Sequence, residues 1–140
     1  MKISTADDVV HVLSSKKKVR GHVILAIHLS KSLMADHIQK VTKNDESMSK
    51  IVRECAIRKS DALIIASNRK SETDLSPSED DIKFTQTLAE AGKMLGVCVL
   101  DHILLGKNGH YSFKKNGKVF PRGHKYVYRP CRKIYRLVCG

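Results

Sequence analysis

Apolar positions along the chain fall into two kinds of pattern that alternate. Apolar-rich segments with many β-branched residues occur at His22–Leu29 (HVILAIHL), Asp61–Ser67 (DALIIAS) and Val97–Leu105, and these read as buried strands. Between them, Met48, Ile51, Val52 and Cys55 recur at helical spacing, which predicts a helix from Ser47 to about Lys59. A second helix carries Phe84, Leu88, Ala91 and Leu95 on one stripe and stops at Gly96. Its start is marked by Ser76-Pro77-Ser78-Glu79, a capping-box spacing with Pro at the first helical position. Ahead of these lies a short helix with Ala6, Val9, Val10 and Leu13 on one face, capped by Ser4 or Thr5 and ending in Lys16-Lys17-Lys18, where cations suit the helix dipole. A further strand is expected between Leu33 and Val41, followed by a polar loop from Thr42 to Glu46. After the Gly106-Lys107-Asn108-Gly109 turn comes a short strand around Tyr111 to Phe113, and Asn116-Gly117 signals a hairpin. The last twenty or so residues read as short strands interleaving Tyr with Lys and Arg. Strands alternating with helices in one short chain predict an α/β domain of two or three layers.

The length, 140 residues, suits one domain, and a hydrophobic share of 41% argues against a disordered basic protein. Charge sharpens the picture because it is unevenly placed. Residues 1–101 hold 16 Lys+Arg and all 14 Asp+Glu, whereas residues 102–140 hold 10 Lys+Arg and no acid. The longest apolar run, Val23 to Ile27, is far below the roughly 18 residues that span a bilayer, and the start MKISTADD lacks the apolar core of a signal peptide. The expectation is a soluble cytoplasmic protein with no membrane partner. Cys55, Cys98, Cys131 and Cys139 are spaced too widely for a zinc ribbon, and the reading is of reduced thiols without chemistry, Cys55 and Cys98 being core.

The segment from Ile51 to Gly106 is the most distinctive. A strand ending in Ala66-Ser67-Asn68 leads through a polar loop to Ser76-Pro77-Ser78-Glu79-Asp80-Asp81-Ile82, then Glu90-Ala91-Gly92-Lys93, then Val99-Leu100-Asp101-His102-Ile103-Leu104-Leu105-Gly106 and Tyr111-Ser112-Phe113. This order resembles the RadC-like branch of the JAB/MPN (JAMM) metalloprotease superfamily, over about residues 4 to 114. The resemblance implies an α/β (α+β) fold of the cytidine-deaminase-like kind, a mixed sheet flanked by helices, with the domain at 1–114 and a basic aromatic extension at 115–140 packed on or continuing it. It also implies a zinc held by two His of a His-x-His and one Asp, a Glu as general base on the metal-bound water, and a Ser that stabilises the oxyanion. Proteins of this family commonly carry a DNA-repair label.

Position by position, Ser78 and Asp81 match the family's Ser and Asp. The His-x-His positions hold Ser67 and Arg69, and the glutamate position falls near Gly21, with no carboxylate close by in sequence. The loop between Arg69 and Ser78 is one residue longer than the family's spacing. Ser67 is a poor zinc ligand, and Arg69 brings a permanent cation that can pair with Asp81. The expectation is a vestigial site (Ser67, Arg69, Ser78, Asp81) without metal, Asp81 being the one ligand if any metal binds, and without peptidase activity by the usual route. His22, His28, His37, His102, His110 and His124 supply further imidazoles. Asp101 and His102 are adjacent on a strand, point to opposite faces, and cannot readily grip one ion. His102 then reads as structural. A Ser67, His28 and Asp81 triad is a further alternative.

Beyond Phe113, Lys114, Lys115, Lys118, Arg122, Lys125, Arg129, Arg132, Lys133 and Arg136 interleave with Phe120, Tyr126, Tyr128 and Tyr135. Cations for phosphates and rings for bases suit nucleic acid or another polyanion. The competing reading is a solvated strand edge kept basic against edge pairing. Val127, Ile134, Leu137 and Val138 would suit a small homodimer contact. Three functions therefore stand: an inactive RadC-like domain that binds nucleic acid through its basic segment, with no cofactor; a metal-dependent hydrolase with altered ligands and zinc; and a protein-interaction scaffold for an acidic partner.

Overall fold

The computed structural model describes residues 2, 3, 5–14, 22–68, 75–107, 109–120, 131 and 134. The elements run α1 (Ala6–Ser14), β1 (Val23–Leu29), β2 (Ala35–Thr42), α2 (Ser47–Arg58), β3 (Ala62–Asn68), α3 (Glu79–Leu95), β4 (Cys98–Leu105) and β5 (His110–Ser112). The strands form one mixed sheet in the order β2-β1-β3-β4-β5, with β3 and β4 parallel and the other pairs antiparallel. This is an α+β fold of the kind the resemblance implies.

Alternation along the strands divides the core in two. Val23, Leu25, Ile27 and Leu29 of β1 with Ala62, Ile64 and Ala66 of β3 pack on one face against Ile3, Val9 and Leu13. Ile24 and Ala26 of β1 with Leu63 and Ile65 of β3 pack on the other against Ile51 and Cys55 of α2 and Leu88 of α3. The central strands are buried on both sides, which explains why apolar residues occupy successive positions along them.

Two departures from the sequence expectation position the site. In β4, Leu63 pairs with Val99 but Ile64 with Asp101, so Leu100 is an extra residue, a β-bulge. The inserted residue shifts the alternation by one: Leu100 and Ile103 face α1, and Leu104 faces α3. His102 is thereby turned toward α3. The buried stripe of α3 is Asp81, Thr85, Leu88 and Gly92 rather than the predicted Phe84, Leu88, Ala91 and Leu95, and Leu95 is 45% exposed. Gly92 makes this rotation possible, because a Cβ there would lie 2.6 Å from the Val97 carbonyl oxygen and 3.1 Å from Val99 Cγ2.

Helix starts differ in detail. Thr5 caps α1 through a reciprocal pair with Asp8, the Thr5 hydroxyl accepting from the Asp8 N–H at 3.2 Å and the Asp8 carboxylate from the Thr5 N–H at 2.9 Å. In α3 the N-cap is Ser78, two residues later than expected, and Asp81 completes its capping box. Gly96 closes α3 in the left-handed region (φ 74°), as its sequence position predicts.

The expected Asn116-Gly117 hairpin is absent. Residues 113–117 instead form tight turns, with the Asn116 N–H donating to the Ser112 carbonyl at 3.2 Å and the Lys118 N–H to that of Phe113 at 2.9 Å. Gly117 supplies a positive φ of 66°, and no strand follows among the described residues. The expectation of reduced cysteines is also corrected: Cys98 and Cys131 form a disulfide, their Cα atoms 5.3 Å apart, because both face the α1 side of the core. Cys131 and Ile134 are helical rather than extended.

Candidate functional site

Ser67 stands next to last in β3 on the face that looks toward α3, and the bulge brings His102 of β4 beside it. The Ser67 hydroxyl lies 2.7 Å from His102 Nε2, and the Thr85 hydroxyl lies 2.7 Å from His102 Nδ1. Thr85 Oγ1 also donates to the Asp81 carbonyl oxygen at 2.7 Å. A hydroxyl has one hydrogen, so Thr85 accepts from Nδ1–H. In neutral His102, Nε2 then holds a lone pair and Ser67 donates to it. Phe113 stacks on the imidazole with centroids 4.6 Å apart and planes 20° from parallel, and Tyr111 meets Phe113 edge-on. All three hydrogen-bonding side chains are buried, Ser67 at 6% exposure, Thr85 at 1% and His102 at 3%.

Asp81 is buried one turn away. Its carboxylate accepts from the Ser78 N–H at 2.9 Å, and its own N–H donates to Ser78 Oγ at 3.1 Å. Lys43 Nζ stands 3.7 Å from the other carboxylate oxygen. The residues placed by resemblance as oxyanion stabiliser and metal ligand thus form the cap of α3. Ser67, in the first His-x-His position, hydrogen-bonds an imidazole. Among the described residues no group of three His, Cys, Asp or Glu side chains converges to hold a metal. The donor set, a hydroxyl, a singly available imidazole and a carboxylate facing an ammonium, does not fit zinc. Gly21 and Arg69 lie outside the described residues.

The Ser67, His28 and Asp81 triad is not assembled. His28 pairs with Leu63, four residues along β3 from Ser67, or roughly 13 Å at the strand rise. His28 belongs to a separate cluster beside α2. Gln39 donates through Nε2 to the Lys50 carbonyl at 3.2 Å, which turns its Oε1 to accept from His28 Nε2 at 3.0 Å; Ser60 Oγ is 2.8 Å from Nδ1. Burial lowers the His28 pKa below its ordinary value, against the raising effect of the Gln39 bond. Beside it the free thiol of Cys55 is pushed up to about 11, chiefly by burial. This thiol is inert at neutral pH.

Asp101 looks the other way from His102, as the spacing predicts, and holds the start of the basic segment. Its carboxylate accepts from the Ser112 hydroxyl, from the His102 N–H at 2.8 Å and from the Lys114 N–H at 2.9 Å. Burial raises its pKa, opposed by these hydrogen bonds. The Lys115 N–H donates to Ser112 Oγ at 3.2 Å, so the turn bearing Lys114, Lys115 and Lys118 is fixed to the β5 edge of the sheet. Lys115 and Lys118 are exposed. Two assignments are corrected here. Phe120 is 3% exposed inside the α2/α3-side core and cannot stack on a base, and Ile134, 6% exposed in the α1-side core, cannot form a dimer contact. The other basic and aromatic candidates, Arg122, Lys125, Tyr126, Tyr128, Arg129, Arg132, Lys133, Tyr135 and Arg136, lie outside the described residues, as do Val127, Leu137 and Val138.

Thr85, His102 and Lys43 went unassigned as partners of the site in the sequence. Thr85 could have been found from its place four residues after Asp81, one helical turn on. The His102 role depends on the bulge, which leaves no compositional trace.

Residues 3–118 match the RadC-like JAB domain family. The chain belongs to that family. A UPF0758 protein of Staphylococcus haemolyticus is 33% identical over 122 residues, covering 84% of this chain and 54% of the relative. One from Clostridium perfringens is 34% identical over 121 residues, 82% of this chain and 53% of the relative. A UPF0758 protein of Alkaliphilus metalliredigens is 48% identical over 60 residues, 43% of this chain and 26% of the relative. The chain thus spans about half the length of the Staphylococcus and Clostridium relatives. Within the RadC-like fold, no described helix is long and apolar enough to cross a membrane.

Proposed function

We propose that this RadC-like chain is a metal-independent binding module for nucleic acid, acting through its basic segment. The observation that carries the reading is the charge partition: ten Lys+Arg and no Asp+Glu over residues 102–140. The turn clasped by Asp101 supports it, since cations on a fixed scaffold lose less entropy on meeting phosphates than cations on free side chains of a mobile tail. Inactivity by the family's metal route is supported by the chemistry of the donors, with Asp81 capping α3 and facing Lys43. No cofactor enters this function.

The test is fluorescence anisotropy of labelled single-stranded DNA, double-stranded DNA and RNA with the full chain at low salt. A variant that removes three of the cations, Lys115→Gln with Lys118→Gln and Arg129→Gln, serves as comparison. Truncation is unsuitable because Phe120, Cys131 and Ile134 are core residues. The reading predicts saturable binding that weakens about tenfold or more in the variant. Absence of binding overturns it, as does equal affinity of the two proteins. Binding to polyglutamate in preference to every oligonucleotide would assign the segment to an acidic protein partner.

A further inference from the structure

The Ser67, His102 and Thr85 chain has the connectivity of an activated nucleophile. A serine hydroxyl donates to one imidazole nitrogen, and the other nitrogen is held as N–H by a third group that is itself anchored, here by the Asp81 carbonyl oxygen. Packing supports the alignment: Phe113 stacks on the ring, and Ser67 and His102 sit on adjacent paired strands of the sheet. A site on strands holds its geometry better than one on loops. His28 and Cys55 belong to the separate cluster beside α2.

We infer that Ser67 is a nucleophile toward small activated carboxylic esters and toward fluorophosphonates, with His102 as its general base and Thr85 as a positioning residue. In the ester reaction Ser67 Oγ forms a bond to the carbonyl carbon while its proton passes to His102 Nε2. The carbon–oxygen bond to the leaving group then breaks, and the leaving alkoxide takes the proton from Nε2. Water restores Ser67 by the reverse order of transfers, its hydroxyl joining the acyl carbon as carboxylic acid. With a fluorophosphonate, the Oγ–phosphorus bond forms as the Ser67 proton passes to His102 Nε2, the phosphorus–fluorine bond breaks, and fluoride departs with that proton, leaving a stable adduct. Thr85 is uncharged, so it fixes the imidazole tautomer but stabilises the imidazolium less than a carboxylate would. The reaction is therefore slow. The inference is independent of nucleic-acid binding.

The experiment incubates the purified full chain with a fluorophosphonate probe and locates the adduct by peptide mass spectrometry. Circular dichroism verifies the fold of each variant. The expected result is one adduct on Ser67, lost in Ser67→Ala and reduced at least about tenfold in His102→Gln. Thr85→Val lowers labelling and Thr85→Ser restores it, a rescue that a purely space-filling role would not give. His28→Gln labels as the wild type does. No Ser67 adduct in the folded wild type overturns the inference, as does labelling that is unchanged in a folded His102→Gln or Thr85→Val chain. If His102→Gln does not fold, the Thr85 pair decides.

Discussion

Replacing Asp101 by Ala removes one carboxylate that serves three donors: the Ser112 hydroxyl and the N–H groups of His102 and Lys114. Asp101 is 3% exposed and Ser112 is 4% exposed, so water does not readily take the carboxylate's place. A buried donor left without an acceptor costs about 1–3 kcal/mol. The Lys114 N–H is only partly buried and regains water, and removing a desolvated carboxylate returns part of the loss. The net expectation is a destabilisation of about 3 kcal/mol at neutral pH. In urea, with a slope near about 1.5 kcal/mol/M, the midpoint falls by about 2 M. Asp101→Asn keeps an acceptor for the N–H groups and should lose about 1 kcal/mol. The folded chain holds the Asp101 proton more tightly than the unfolded chain, so this group's stabilisation is greatest below the ordinary carboxylate pKa and falls as pH rises through the folded value. The gap between wild type and Asp101→Ala should therefore narrow with rising pH. A loss under about 1 kcal/mol at neutral pH for Asp101→Ala would refute the clasp.

Other expectations follow from single residues. Because burial lowers the His28 pKa below its ordinary 6.5, the neutral form stabilises the fold above that pH, and stability falls as pH drops from 6.5 toward the folded value. Urea titrations across this window should show the slope in wild type and its loss in His28→Gln; identical slopes would remove His28 as the cause. Gly92→Ala should lower the thermal midpoint, its Cβ clash with the Val97 carbonyl costing about 2–3 kcal/mol and outweighing the roughly 1 kcal/mol helix gain. A raised midpoint would mean α3 shifts freely on β4. Reduction of the Cys98–Cys131 bridge, which closes 33 residues, should cost about 4 kcal/mol by the chain-entropy argument. A urea midpoint unmoved after reduction verified by mass contradicts that.

The elements were legible because their periods are. Ile24 to Ile27 and Leu63 to Ala66 are apolar on both faces of a central strand, and Ile51 with Cys55 marks the α2 face. The site was less legible because it depends on phase. A one-residue insertion at Leu100 turned His102 toward Thr85, and a rotation of α3 allowed by Gly92 put Asp81 and Thr85 inside. Neither changes composition or the type of element, so pattern reading finds the strand and the helix but not which side chains meet. Ser78 and Asp81 were found as a pair, yet their three-residue spacing serves a capping box as well as it would a metal-bearing helix start. The Cys98–Cys131 bridge joins two residues with no framework spacing, and only the shared α1-side core brings them together.

The most direct test of the account is the salt dependence of nucleic-acid affinity for the full chain. If the basic segment neutralises about six phosphates of duplex DNA, log K falls against log salt with a slope near about −5. Lys115→Gln with Lys118→Gln should flatten that slope by about 2 and weaken all sequences alike. A slope near zero, or one that the double substitution leaves unchanged, contradicts the assignment of these cations to phosphate contacts.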